Sequence, residues 1–311
     1  MTKIAIIGAG QVGATAAQRI AESGIADMVM VDIVDGIAAG KALDLMHAAP
    51  LIPHNSRIEG SADFSAIRGA RIVVVTAGLP RQPGMTREDL LEKNADIMRS
   101  VCEHIKKHCP ESIVLVVSNP LDVMTYLAWK LTGFPRERVI GMGGVLDTAR
   151  FTAQLAEVLE IHNSRIKALV IGPHGKGMMP LASHTTVNGT PLAEFLDEKT
   201  IAESVERTNN AGAEVVEHLK KGSAFYAPAA AIMKMVSAMI DQKDDVLPAS
   251  VVLQGEYDLD DVTIGVPVLL CEAGLKQIVT IDLSSDEKEQ LKAGADSIRK
   301  SIDHLKAKGY F

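Results

Sequence analysis

The chain has 311 residues, 47% of them hydrophobic, with a net charge of −7 at pH 7. That length and apolar content suit two domains or one large one with a sizeable core, and they exclude a disordered chain. The acidic balance without a long basic run speaks against nucleic acid or a membrane surface as partner, and no run of eighteen apolar residues or N-terminal leader pattern points to a membrane span or signal peptide.

The first predicted element is a strand over residues 3–7. It runs into Gly8-Ala9-Gly10-Gln11-Val12-Gly13, then a helical pattern through Ala21, then an apolar run over 28–31 that ends in Asp32. Strand, glycine turn, helix, strand and acid in that order form a dinucleotide-binding fingerprint. Gly8 allows the tight turn, Gly10 lets a pyrophosphate approach the backbone, and Gly13 lets the helix pack close to the strand. The free N–H groups at the helix start then face the phosphates. A carboxylate at Asp32 accepts hydrogen bonds from both hydroxyls of an adenosine ribose and repels a 2′-phosphate, so the cofactor read from these residues is NAD rather than NADP. A bare G-x-G-x-x-G often marks an ordinary turn; the flanking strand, helix and acid make this one specific.

Residues 36–47 predict a helix, broken by Pro50 and Pro53, with a short edge strand over 56–59. A β-branched strand over 71–75 leads into Thr76-Ala77-Gly78. Residues 79–85 carry two prolines and a glycine and exclude regular structure. A long helix is predicted over about 86–109, stopped by Pro110. A strand over 112–117 ends in Ser118-Asn119-Pro120, and a helix over 121–131 and a strand over 138–140 follow. Such alternation implies a parallel sheet with right-handed crossovers. The pattern changes after about Gly143. A helix is expected over 146–160, a strand over 165–171 and a glycine-rich loop over 172–177. A hairpin with a primed turn at Asn188-Gly189 comes next. Helices over 200–220 and 228–241, alternating strands between 249 and 282, and a closing helix from Asp286 complete the chain. The expected fold is α/β, with a Rossmann-type doubly wound domain over 1–143 and an α+β catalytic domain over 144–311.

In an open parallel sheet, ligands sit outside the carboxyl ends of the strands where strand order reverses. The unusual turns at 8–13, 76–87 and 118–120 are expected to adjoin one such crevice. Arg81 and Arg87 lie in and just beyond the irregular loop. Either alone is an ordinary solvated charge; together at the mouth of a crevice they suit an anion clamp on a closing lid. Asn94 falls on the apolar stripe of the long helix and suits a satisfied core amide and a ligand contact equally. Asn119, at a strand's carboxyl end, is better placed for cofactor or substrate than as a mere helix cap. Asp147 and Arg150 could form a cap with a local ion pair. Asp147, however, shares a stripe with Phe151, Leu155 and Val158, so its carboxylate points inward and needs a partner. His174, in a glycine loop after an apolar strand, is that partner and the best general acid/base among nine histidines. A rival cluster of Cys102, His104, His108 and Cys109 has metal-like spacing. Lys106 and Lys107 would repel a cation there, and basic residues at a helix end suit its dipole, so no metal is expected. The three cysteines (the third is Cys271) read as free thiols in a reducing cytoplasm.

These stretches together resemble the lactate/malate dehydrogenase family. The resemblance rests on GAGQVG at 8–13, VD at 31–32, TAGLPRQPGMTREDL at 76–90, SNPLDVMTY at 118–126, LDTARF at 146–151, GPHG at 172–175 and GSAFYAPAAA at 222–231, which reach across nearly the whole chain. It implies NAD-dependent hydride transfer at the alcohol carbon of malate. Lactate or a broad range of 2-hydroxyacids is the alternative substrate, and a non-catalytic NAD-binding protein is the alternative of another class. Under the resemblance His174 carries the hydroxyl proton and Asp147 orients it. Arg150 holds the C1 carboxylate, Arg87 polarises the carbonyl as the loop closes, and Arg81 pairs with the second carboxylate, where relatives acting on lactate usually carry glutamine. Asn119 contacts substrate and the nicotinamide side. Val117 and Asn94 help place NAD, beside Gly8, Ala9, Gly10, Gln11, Val12, Gly13, Asp32, Ala77, Gly78 and Ser118. Ala224 lies where pocket size is tuned. Lys176 replaces the acid that many relatives carry, and a cation there favours neutral imidazole. A small-molecule substrate, a homotetramer with dimer second, a cytoplasmic location and a place in the tricarboxylic acid cycle are also implied.

Overall fold

The computed structural model describes residues 1–80, 85–241 and 244–311. Six parallel strands form the first half: β1 (Thr2–Ile7), β2 (Ala26–Val31), β3 (Ile58–Ser61), β4 (Ile72–Val75), β5 (Ile113–Val116) and β6 (Val139–Gly141). They lie in the order β3-β2-β1-β4-β5-β6, so the order reverses between β1 and β4. Ile4 to Ile7 of β1 pair in register with Ile72 to Val75 of β4, and the two strands end level at one edge. β4 and β5 are buried along their whole length, as strands covered on both faces must be.

The covering helices are α1 (Gln11–Ser23), α2 (Ile37–Ala48), α3 (Arg87–His108) and α4 (Leu121–Thr132). α3 shows how local chemistry sets such an element. Thr86 accepts the Asp89 N–H and Asp89 accepts the Thr86 N–H, a reciprocal capping box. Leu91, Asn94, Ala95, Met98, Val101, Cys102 and Ile105 form its buried face at helical spacing, and Lys106, Lys107 and His108 close it against the dipole.

The second half contains α5 (Gly144–Leu159), β7 (Ile166–Lys167), β8 (Val170–Ile171), β9 (Met179–Pro180), β10 (Thr186–Val187), β11 (Thr190–Pro191), α6 (Glu198–Leu219), α7 (Tyr226–Asp241), β12 (Val246–Gln254), β13 (Asp260–Cys271), β14 (Gly274–Ile278) and α8 (Ser285–Ala307). The single strand expected over 165–171 is two: β7 pairs with β10, and β8 with β9. The chain changes sheets between them, because past β8 the backbone of Gly172 exchanges both hydrogen bonds with Gly265 of β13. Asn188 and Gly189 take φ of 51° and 87°, the left-handed values a primed hairpin turn requires. The long antiparallel strands do not form a separate sheet. Ser250 of β12 pairs with Gly141 of β6, so β12, β13 and β14 extend the parallel sheet to nine strands and cover its edge. One large core follows this sheet through both halves, and a smaller one around Phe151, Leu155, Ile166 and Leu192 lies under α5. Among the described residues no helix is long and apolar enough to cross a membrane.

Candidate active site

The carboxyl ends of β1, β4 and β5 are neighbours, and the three unusual turns open at one edge of the sheet. Gly8 follows β1 with φ 100°, and a Cβ there would lie 2.7 Å from the Ala77 nitrogen. A Cβ on Gly13 would lie 2.0 Å from the Gly8 oxygen, so glycine alone lets α1 start this close to the strand. A Cβ on Gly10 would meet open space. Gly10 lines an open cleft of about 910 Å³ shared with Gly8, Asp32, Phe64, Ala77 and Gly78. It is also the N-cap of α1 and has no side-chain cap hydrogen bond, which leaves the first N–H groups for an anion.

The glycine turn is gripped from several sides. Asp32 accepts the Ala9 N–H through Oδ2 at 2.8 Å and the Val34 N–H through Oδ1 at 3.0 Å. Lys41 Nζ donates to the Ala9 oxygen at 2.6 Å, and the Thr76 hydroxyl donates to the Gly8 oxygen at 2.8 Å. The Ser118 hydroxyl donates to the Ala77 oxygen, joining the turns after β4 and β5. A dinucleotide fits this donor set: uncapped N–H groups beside a glycine with no Cβ in the way, and a carboxylate at the end of β2. Gln11 is exposed, Val12 and Val117 are half-buried, and the Val117 N–H is spent on Val75. Asn94 is buried, and its amide is fully engaged. Oδ1 accepts the Leu79 N–H at 2.8 Å; Nδ2 donates to the oxygens of Leu79 and Asn119 at 3.2 and 2.8 Å. It clamps two of the turns together. Asn119 itself is exposed.

The second group gathers on α5. Asp147, 1% exposed, accepts from His174 Nδ1 at 2.8 Å through Oδ2 and from Arg150 Nη1 at 3.3 Å through Oδ1. α5 starts at Gly144 with Gly143 as its N-cap, so Asp147 is not the cap but an inward acid one turn in. With the proton on Nδ1, the Nε2 edge of His174 remains as base. Gly143 makes room for this ring: a Cβ there would lie 3.1 Å from that of His174. Gly212 of α6 lies against the Arg150 guanidinium, where a Cβ would stand 3.6 Å from Nη2, an ordinary contact.

Burial draws the His174 pKa down, but the charge and hydrogen bond of Asp147, helped by Asp122, outweigh it against Arg150. The net direction is up from 6.5. The downward pull expected from Lys176 does not set this direction: Lys176 is exposed, and the two buried acids decide the sign.

Arg87 is the first residue of α3 and is exposed. Arg81 lies outside the described residues. Ala224 is half-buried just ahead of α7. In the rival cluster, His104 stacks on Phe64 at 4.0 Å, the Cys109 thiol donates to the Ile67 oxygen, and burial pushes the Cys102 thiol up to about 12. Among the described residues no group of three or more His, Cys, Asp or Glu is arranged to hold a metal ion. Sequence reasoning missed Thr76, Lys41, Phe64 and Asp122. Asp122 carried a signal, an acid inside the apolar run LDVMTYLAW; Phe64 carried none.

A doubly wound sheet with a glycine turn and an acid at its reversal point, beside an arginine–aspartate–histidine chain, defines a dinucleotide-dependent oxidoreductase. Family models of the lactate/malate dehydrogenases match both halves, the NAD binding domain over residues 2–141 and the alpha/beta C-terminal domain over 144–308. The chain belongs to the lactate/malate dehydrogenase family. It is 49% identical to the malate dehydrogenase of Trichormus variabilis over 303 residues, 97% of this chain and 94% of that one. The solved malate dehydrogenase of Cryptosporidium parvum superposes with a TM-score of 0.96 at 40% identity, over 98% and 99% of the two chains. A lactate dehydrogenase of the same organism, complexed with lactic acid and nicotinamide adenine dinucleotide, gives 0.95 at 37% identity over 98% of each.

Proposed function

We infer that the chain is an NAD-dependent malate dehydrogenase that interconverts (S)-malate and oxaloacetate. The observation that carries the chemistry is the chain Arg150–Asp147–His174, closed by contacts of 3.3 and 2.8 Å around one buried carboxylate. The malate dehydrogenases among its relatives support the substrate. His174 Nε2 takes the hydroxyl proton in oxidation and returns it in reduction. Asp147 keeps the proton of the resting imidazole on Nδ1 and stabilises the imidazolium. Arg150 holds the C1 carboxylate in a bidentate pair. Arg87 polarises the carbonyl when the preceding loop closes, and Arg81 on that loop pairs with the second carboxylate. Bound NAD would supply the hydride acceptor for oxidation and, in its reduced form, the donor for reduction. Residues 8–13 would hold the pyrophosphate, Asp32 the ribose hydroxyls, and Ala77, Gly78, Val117, Ser118 and Asn119 the nicotinamide side. Asn94 acts through Leu79 and Asn119, and Ala224 leaves room for the larger acid. Residues 1–143 thus hold cofactor and 144–311 carry the relay. A homotetramer, with dimer second, a cytoplasmic location and a place in the tricarboxylic acid cycle belong to the same reading; three free cysteines and the exposed apolar Leu43 and Leu51 on and after α2 support the first two.

The lactate dehydrogenase among the similar structures keeps lactate as the second reading. NADH consumption with oxaloacetate, pyruvate or buffer alone separates them, in the unmodified enzyme and in Arg81→Gln. An unpaired carboxylate in a closed site costs about 2–5 kcal/mol when its partner is truncated. Arg81→Gln therefore loses at least roughly tenfold in kcat/KM for oxaloacetate while pyruvate holds or improves. An unchanged ratio makes Arg81 a surface charge. A preference for pyruvate in the unmodified enzyme favours lactate, and no turnover with either acid leaves a binding protein.

A further inference from the structure

Asp122 is the second residue of α4, and it is 4% exposed. Three hydrogen bonds gather on it. Oδ2 accepts the backbone N–H of His174 at 2.8 Å, Oδ1 accepts the Ser250 hydroxyl at 2.7 Å, and its carbonyl oxygen accepts the Thr263 hydroxyl at 2.5 Å. Ser250 and Thr263 are themselves buried, on β12 and β13. One residue of the first half thus ties two strands of the second half to the backbone of the histidine.

A helix N-terminus favours an acid, but that preference asks for no burial and no distant loop. An asparagine would still accept the His174 N–H at Oδ1 and could donate from Nδ2 to the Ser250 oxygen, without the cost of desolvating a charge. Both carboxyl oxygens act as acceptors here, the pattern of an ionised group. Burial pushes the Asp122 pKa up, and the bonds from Ser250 and the His174 N–H offset that only in part, so the net direction is up. A charge kept in so costly a place has a use that an amide lacks, and the group close enough to feel it is the imidazole.

We propose that Asp122 is a positioning residue for His174, anchoring the backbone of the histidine loop and placing a second negative charge behind the ring. The inference rests on the reading of His174 as the proton carrier. The charged groups that bear on the ring are Asp147 and Arg150 from α5 and Asp122 from α4, with Lys176 exposed on the ring's own loop. Asp147 sets the imidazole tautomer through Nδ1. Asp122 holds the main chain and acts on the ring through space. Its removal lowers the affinity of His174 for a proton.

The test is the pH profile of kcat/KM for oxaloacetate reduction by the holoenzyme at saturating NADH. Reduction needs protonated His174, so activity falls along an alkaline limb. Asp122→Asn keeps the shape: its Oδ1 accepts the His174 N–H and its Nδ2 donates to the Ser250 hydroxyl. NADH affinity stays near that of the parent, and the limb moves to lower pH by on the order of one unit, a nearby charge being worth that much. Well above the limb, kcat/KM then falls about tenfold. His174→Asn assigns the limb. Its persistence there overturns the proton-carrier reading and this inference together. If His174→Asn loses the limb while the Asp122→Asn profile superimposes on the parent, Asp122 alone is overturned. Should Asp122→Asn fail to fold, Ser250→Ala takes its place, since it removes one donor from the same carboxylate and weakens the ionised form. Its limb moves the same way by less, and an unmoved limb overturns the proposal.

Discussion

Asp147 holds two partners because each of its oxygens has one of its own, His174 on Oδ2 and Arg150 on Oδ1. With both oxygens bonded, the buried side chain leaves no acceptor unsatisfied, and it fixes the positions of both neighbours. An amide in its place can accept from only one of them, and the other would face an NH₂ group. Asp147→Asn is therefore expected to lower kcat on the order of 10²–10⁴-fold by favouring the wrong imidazole tautomer. NADH binding should be nearly unchanged, because the dinucleotide cleft contains neither residue. Steady-state kcat beside NADH titration checks this, and near-parental turnover with chemistry rate-limiting would refute the orienting role.

At the scale of elements, two glycines of one turn have different work. The Gly13 hydrogen faces the Gly8 oxygen, so a methyl there pushes α1 away from β1; the Gly10 hydrogen faces the open cleft. Gly13→Ala is expected to cost about 1–3 kcal/mol by overpacking and to weaken NADH binding with it. Gly10→Ala, whose φ of −67° suits alanine, should leave the melting temperature near that of the parent yet weaken NADH binding by crowding the pyrophosphate. Thermal unfolding and NADH titration of the two variants check the pair, and equal melting losses would mean that both positions only pack. α8 is anchored in the same local way as α3. Ser284 caps it and Glu287 returns the bond, while Ser183 of the second half donates to the same carboxylate.

The whole molecule sums such anchored acids. Burial works against Glu287 and Glu256, yet Ser183 and the Ser284 N–H hold the first, and Arg136 the second, below the ordinary 4.5. Capping bonds do the same for Asp63 and Asp197, and a bond from His304 for Glu92. Each lowered carboxyl contributes stability that is fully present above its unfolded pKa and is lost as pH falls through the folded one. His174 and Asp122, both raised, have the opposite sign: what they contribute is present below their unfolded values and lost as pH rises. The lowered acids outnumber them, so the melting temperature is expected to fall steadily from about pH 5 to about pH 3. Calorimetry across that range checks it, and a flat or rising profile would show that the raised groups dominate.

Local rules made much of this chain legible before its structure. The glycine turn, the apolar stripe of α3, the primed turn at Asn188-Gly189 and the inward Asp147 each follow from contacts within a few residues, where backbone sterics and periodicity act. The pairing of Asp147 with His174 was also legible, because an inward acid demands a partner and one histidine stood in a suitable loop. Arg81 was singled out by its sequence alone and lies outside the described residues. The docking of β12 against β6, the split between β7 and β8, the clamp formed by Asn94 and the grip of Asp122 were not legible. Each depends on which distant strands become neighbours; the Asp122–Ser250 bond spans 128 residues of chain. Sequence spacing constrains the first turn of a helix tightly, but it leaves open which loop a buried carboxylate will face. Sheet order decides that, through the competition among all apolar surfaces to be covered at once.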